Sequence, residues 1–529
     1  MAKLDKLAPR GATSVIVSTP DPKARTFEGA PGFSRDVKSE LFLLGVTNMV
    51  SEKTFYEDAA TRDDRYVQLV RAATREDADW ASRFLRWLRS DANMRTASLV
   101  GAVEYAIARA TIPTGPTGRS VVDAVCQRPD EPAEILAYFA SAHGRRIPKA
   151  IKRGVADAAT RLYTEQSYLK YGVGSRNWRF ADVIELTHPT PRAGWQSDLF
   201  KYAIDSRHRE TEPPESLGML RNRNHLALLS NEEKRNLSSD ELRKAGVTWE
   251  ASSSWGEMDA KAWEKQIPNM GYMALLRNLR NFDMKGVSDE VAATVAARLQ
   301  DPDEVARSRQ FPLRFFSALR EVASFRWHAA LEKAVNLSLS TVPALKGKTL
   351  ILIDVSGSMS DTLSSGSKVS RRDAAALFGM ALALRAEHAA VYAFNSNVYP
   401  VAVSKGAALL NAVNAVPKPS GGTAIYSALR ATAKLDTFDR VIVLTDEQTT
   451  PDWRFIDRGW GWGRGSVGSG DVNSIVPLST AVFVFNLAGY GPGFMATGTS
   501  NRHALGGLSS ASFELIAMIE NAKNGEWPF

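Results

Sequence analysis

From about Ser39 to Leu339 the apolar positions recur at helical spacing. Glu40 to Val50 sets Leu41, Leu44, Gly45 and Asn48 on one stripe and Phe42, Val46 and Met49 on a second. Trp80 to Leu88, Ala97 to Ala110, Glu134 to Ala142, Ile151 to Tyr163 and Met270 to Leu279 repeat the i, i+3, i+4, i+7 pattern over about three turns each. Prolines such as Pro113, Pro129, Pro132 and Pro189 punctuate the connections. Helix after helix joined by short loops predicts a bundle or a solenoid of helix pairs. No fixed sequence period is evident, so the solenoid rests on element order alone.

The pattern changes near Lys346. Thr349 to Asp354 (TLILID) is a β-branched apolar run, followed by a Ser/Gly loop and an amphipathic stretch from Arg371 to Glu387. Ala389–Phe394, Arg440–Leu444 and Thr480–Leu487 read as further strands, with helical stretches at Gly406–Val416 and Ser512–Asn524. Strands alternating with helices predict an α/β domain with a parallel, doubly wound sheet, and ligands then bind at the strands' carboxyl ends. The boundary falls at residue 343, giving an arm over 1–25, a helical part over 26–343 and the α/β domain over 344–529.

Composition adds little at first. The chain has 529 residues, 44% hydrophobic and 23% charged, as in ordinary globular protein. The single cysteine, Cys126, excludes a disulfide framework and a cysteine-based zinc site, and VVDAVCQ reads as a buried hydrophobe. MAKLDKLAPRGATSVIVS lacks the apolar core of a signal peptide, and no uncharged apolar run reaches the length of a membrane span. A cytoplasmic setting is expected.

The formal net charge of +8 becomes informative only when located. Residues 344–529 carry 16 Lys/Arg against 14 Asp/Glu. Between His143 and Phe180 stand Arg145, Arg146, Lys149, Lys152, Arg153, Arg161, Lys170, Arg176 and Arg179, opposed only by Asp157 and Glu165. The spacing predicts one helix bearing Arg145, Lys149, Lys152 and Arg153 on its outer face and Ile147, Ile151, Val155 and Ala158 inward. Such a row neutralises phosphates along a nucleic-acid backbone. Tyr168, Tyr171 and Trp178 suit unstacked bases. The alternative is a solvated basic face with no partner. An amphipathic membrane helix fits less well, because the polar face lacks aromatics to insert. His188, just before Pro189, reads on its own as a locally hydrogen-bonded helix end.

DVSGSM places Asp354, Ser356 and Ser358 on the loop after the first strand of the α/β domain. Thr423 in SGGTAIYSAL and Asp446 in VIVLTDEQ add oxygen donors at matching positions. Carboxylates, hydroxyls and retained waters are what Mg²⁺ prefers. The order D-x-S-x-S, GGT, strand-TD resembles the metal-ion-dependent adhesion site of von Willebrand factor A domains. That resemblance implies a cation, Mg²⁺ or similar, whose open position takes a partner's carboxylate. The alternative is that the five residues only cap helices and turns. No nucleophile–base pair, phosphate loop or paired acid/base carboxylates point to an enzyme. RGWGWGRGSVGSG (residues 458–470) reads as a glycine-rich loop whose Trp460 and Trp462 either stack on a partner or cover a sheet edge.

Four ordered stretches complete the picture: Thr26 to Glu57, HGRRIPKAIKR, FADVIELTHPTP and NMGYMALLRNLRNF. Together they resemble the TROVE module, and a TROVE module followed by an A domain is the architecture of the Ro autoantigen family; the chain is similar to its bacterial members. The resemblance implies a HEAT-like ring of helical repeats with a positively charged hole that accepts single-stranded 3′ ends of misfolded or structured RNA. It implies a Y RNA surface at Lys170, Arg176 and His188, beside Arg145, Arg146, Lys149, Lys152, Arg153 and Arg179. It places Arg277 and Arg280 at the hole, with Asn278 as polar neighbour. It also implies a monomer working with an exoribonuclease such as polynucleotide phosphorylase in RNA quality control. A metal-dependent protein–protein adaptor without RNA is the alternative.

Overall fold

The computed structural model describes residues 18–25, 31–47, 59–172, 178–322, 324–363, 368–446, 472–487, 495, 501–506, 512–521 and 527–529. Outside the described residues lie Arg176, the glycine–tryptophan segment 458–470, Asn48 and Met49 of the first helical stretch, and residues 522–524 of the last. The chain divides into two compact units, one of residues 64–299 with 322–327, the other of residues 1–63, 300–321 and 328–529. The helices Pro312–Glu321 and His328–Leu337 therefore fold with the sheet-containing unit.

The first unit is helical. After the helix Ala59–Glu76, most of which lies in this unit, come α1 (Ala78–Ser90), α2 (Arg95–Arg109), α3 (Gly118–Val125), α4 (Glu131–His143), α5 (Lys149–Leu162) and α6 (Phe180–Thr187). A later helix, α7, spans Tyr272–Met284. Each buries an apolar stripe on its neighbour: α1 on α2, α2 on α3, α3 on α5, α5 on α6. Cys126 is fully buried where α3 ends, and burial pushes its thiol pKa well up, as expected of a small hydrophobe.

Gly154 lets α5 approach α3 closely. A Cβ there would lie 2.6 Å from the Arg119 carbonyl oxygen and 2.7 Å from the Val122 Cβ. Gly154→Ala should therefore cost about 1–3 kcal/mol through overpacking and lower the unit's thermal midpoint by several degrees. An unchanged midpoint in calorimetry would show that the helices yield there without cost.

In one respect the helical part departs from the spacing argument. Arg145 and Arg146 lie before α5, in the loop between α4 and α5. Pro148 is the N-cap of α5, and its missing N–H and fixed φ suit a helix start rather than an interior. Only Lys149, Lys152 and Arg153 share the helix.

The second unit contains a hairpin of β1 (Ser18–Arg25) and β2 (Pro31–Arg35) and a six-stranded sheet. The sheet comprises β3 (Leu345–Asp354), β4 (Ala386–Phe394), β5 (Val398–Val401), β6 (Arg440–Thr445), β7 (Ala481–Asn486) and β8 (Arg502–Gly506). Its order is β5-β4-β3-β6-β7-β8, parallel throughout except for the antiparallel edge strand β5. Helices α8 (Arg371–Arg385) and α9 (Ile425–Thr432) cover it.

Both faces are buried, which is why these strands read as continuous apolar runs. Leu350, Leu352, Val441, Val443, Val482 and Val484 join Ile425, Ala428 and Leu429 of α9 in one core cluster. On the other face Gly379 of α8 lies against Ile353 and Leu444, and Phe378 packs on Phe485 with ring centroids 5.0 Å apart. Strand order reverses at β3, flanked by β4 on one side and β6 on the other. Asp354 ends β3, and the carboxyl edge at such a reversal is where α/β sheets hold ligands.

Candidate functional sites

The helical unit presents an unusual run of unpaired cations. Arg145, Arg146, Lys149, Arg153 and Lys170 are exposed and Lys152 is half-buried. None of these side chains has an ion-pair partner among the described residues. The acids in the same stretch are already occupied. Arg119 of α3 clamps Asp157 through two hydrogen bonds, at 2.5 and 2.8 Å, and Glu165 accepts the Leu220 N–H at 2.9 Å. Arg161 is tied to Asp123 and to the Cys126 carbonyl, so it does not belong to the free row.

Lys170 sits with its ammonium 5.4 Å from the Tyr171 ring centroid, in a π turn that follows α5. Exposed Arg179 is the N-cap of α6, and exposed His188 is its C-cap. His188 adopts φ 49°, left-handed backbone that histidine tolerates better than most residues. Its N–H donates to the Ile184 carbonyl at 2.9 Å, which closes the helix. The local hydrogen bond expected of this residue is thus a backbone one, and the imidazole is left to solvent.

On α7, Arg277 and Arg280 are exposed and likewise have no ion-pair partner among the described residues. Asn278 does not join them. It is buried, donates to the Ala274 carbonyl at 2.8 Å and accepts from Asn281 at 2.8 Å. One residue along a helix is a turn of about 100°, which takes Asn278 to the inward side.

In the sheet-containing unit, oxygen donors gather at the carboxyl ends of β3 and β6. Asp354 is fully buried; its carboxylate accepts the Ser356 N–H at 2.8 Å and the Thr445 hydroxyl at 2.6 Å. The Ser356 and Ser358 hydroxyls lie 3.2 Å apart. Backbone hydrogen bonds lace this loop to the one carrying Thr423: Gly357 N–H to the Gly421 carbonyl, and Ser420 N–H to the Val355 carbonyl. Asp446 follows β6, also fully buried, with an Arg371 guanidinium nitrogen 3.2 Å from one carboxylate oxygen.

Burial pushes the Asp354 carboxyl up to about 7, and the negative charge of Asp446 adds to the rise. Hydrogen bonds from Thr445 and Ser356 oppose it. The donor set of two carboxylates and three hydroxyls is hard, and two neighbouring buried acids suit a divalent cation. Among the described residues no group of three or more His, Cys, Asp or Glu could hold a metal, so a site of this kind depends on hydroxyls.

Three residues of this site escaped the sequence reading. Thr445 orients Asp354 from the neighbouring strand, and Arg371 opens α8 beside Asp446. Asn395 donates to the Ser420 carbonyl at 2.8 Å and holds the glycine loop. Only Thr445, adjacent to Asp446 at a strand's end, left a readable signal.

Comparison with known proteins agrees with both halves. The family model of the TROVE domain matches residues 240–326, and that of the Ro60 vWA domain matches residues 348–453. The crystal structure of the Deinococcus radiodurans Ro (RSR) protein superposes with a TM-score of 0.67 at 21% identity, covering 92% of this chain and 99% of that one. Telomerase protein component 1 of Mus musculus and that of Rattus norvegicus are each 42% identical over 73 residues. Those 73 residues are 13% of this chain and only 3% of either relative's length.

Proposed function

The chain belongs to the Ro family, a TROVE domain joined to a Ro60 vWA domain, and from that premise we propose how it engages RNA. A small noncoding RNA of the Y type lies along Arg145, Arg146, Lys149, Lys152, Arg153, Lys170, Arg179 and His188. Single-stranded 3′ ends of misfolded or structured RNA are taken up at Arg277 and Arg280. The protein acts without catalysis of its own, as a cytoplasmic monomer in RNA quality control that hands RNA to an exoribonuclease such as polynucleotide phosphorylase. Among the described residues no helix is long and apolar enough to cross a membrane.

One observation carries this reading: Arg145, Arg146, Lys149, Lys152, Arg153 and Lys170 have no ion-pair partner among the described residues, while Asp157 and Glu165 are engaged elsewhere. Unpaired, exposed cations release counterions from phosphates, whereas paired ones contribute little. The test is binding of the full chain to a stem–loop RNA, with and without a single-stranded 3′ tail, across a salt titration. Binding should weaken log-linearly with salt and be tighter with the tail. Affinity indifferent to both salt and tail would sink the proposal.

A second reading concerns the A domain. Asp354, Ser356, Ser358, Thr423 and Asp446 would hold Mg²⁺, which when bound supplies a Lewis-acidic position for a partner carboxylate. Buried Asp354 and Asp446 support it. In that role the domain is a protein–protein adaptor beside the RNA-binding module rather than instead of it.

A further inference from the structure

Lys170 stands in a π turn, Tyr168–Gly172, entered from the short helical turn Glu165–Ser167 that Thr164 caps. π turns are rare, because the extra residue per turn widens the backbone and loosens its packing, and they cluster at functional positions. This one is held from beneath. Tyr168 is buried, its ring edge-on to Phe180 and to Tyr202 at centroid distances of 6.1 and 5.9 Å. Its hydroxyl lies 2.9 Å from the Ser206 hydroxyl. Phe180 is in turn stacked on Tyr163, 3.6 Å between centroids and 5° from parallel. At the other end of the turn, a Cβ on Gly172 would lie 2.5 Å from the Tyr168 ring.

We propose that Tyr168 and Gly172 are positioning residues for the RNA contact of Lys170. The anchored ring and the glycine lying against it fix the π turn, and the turn fixes where the Lys170 ammonium points. This rests on the RNA surface proposed above. Relaxation to an α turn would redirect the following side chains by about 100° for each residue displaced. Phe180 is also the first residue of α6, the helix that ends at His188, so one aromatic cluster supports both candidate contacts.

The test is a double-mutant cycle on the full chain, read as affinity for a stem–loop RNA. Lys170→Ala and Gly172→Ala should each weaken binding by roughly fivefold, and the double variant should bind no worse than either alone, because a misdirected lysine has little left to lose. A merely structural role for Gly172 would give losses that multiply, to roughly 25-fold, and that result overturns the positioning inference. Affinity unchanged by Lys170→Ala would be a different failure, removing Lys170 from the RNA surface and its positioning with it. If Gly172→Ala compromises folding, shown by a broadened or lowered thermal transition, the cycle is run with Tyr168→Phe. That change deletes only the hydroxyl that meets Ser206, and the same non-additivity is expected, with multiplying losses again overturning the inference.

Discussion

Replacing Lys149, Lys152 and Lys170 together by glutamate should weaken RNA binding at least a hundredfold near physiological salt and flatten its salt dependence. The three side chains have no ion-pair partner among the described residues, so the substitutions break no ion pair there and the thermal midpoint should hardly move. Each phosphate contact contributes about −0.9 to the slope of log K against log salt on duplex and about −0.7 on single strands. Losing three contacts should reduce the slope by roughly two to three, and the added negative charges repel the backbone besides. Charge reversal at Arg161, which Asp123 and the Cys126 carbonyl hold, serves as a contrast that should affect stability more than affinity. Unchanged affinity and slope in the triple variant would remove α5 and the π turn from the RNA surface.

Asp354→Asn should abolish the response of the A domain to Mg²⁺. For the unsubstituted chain, saturation at a hundred times Kd adds about 2.7 kcal/mol to the stability of the domain, a rise of several degrees in its thermal midpoint. Asparagine keeps the shape and can still meet Ser356 and Thr445, so the fold should survive while the cation is lost. The pH dependence has a definite sign. A cation needs the carboxylate, and burial holds Asp354 near 7, so Mg²⁺ affinity should fall as pH drops below that value. Without cation the folded chain grips this proton more tightly than the unfolded chain, whose aspartates titrate at about 3.9. The stabilisation from Asp354 is then present at low pH and is lost as pH rises from about 4 through about 7. Calorimetry with and without Mg²⁺ at pH 5.5 and 8 reads both effects. An equal Mg²⁺ shift in the wild type and in Asp354→Asn would exclude this site.

Much of this was legible in the residues, for physical reasons. The central strands announce themselves because burial on both faces leaves only apolar side chains, as in Leu350–Ile353 and Val441–Leu444. The edge strands β5 and β8 do not, since edges carry mixed residues such as Tyr399 and Arg502. The candidate oxygen donors stand in loops after β3 and β6 and before α9, which is backbone topology. Asn395 and Arg371 act through side-chain reach to distant loops, and sequence distance hides that. Charge counting located the basic stretch, yet could not separate unpaired Lys149 from engaged Arg161, because pairing is decided by α3 and its Asp123. Periodicity carried Arg145 onto the helix, where Pro148 forbids it. It likewise offered no sign of a π turn, whose period differs from that of its neighbours by a single residue.

The clamp of Arg119 on Asp157 has an effect beyond α5's own stability. A carboxylate and a guanidinium held at 2.5 Å present a dipole to the outside, and a dipole's field fades with distance faster than that of a lone charge. Screening shortens every field to about 8 Å at physiological salt. A polyanion approaching from that range therefore senses Lys149, Lys152 and Arg153 almost as though Asp157 were absent. By spending one arginine of a neighbouring helix, the fold turns a mixed-sign surface into a single-sign one, which on the proposed RNA surface would govern how fast RNA arrives as well as how firmly it stays.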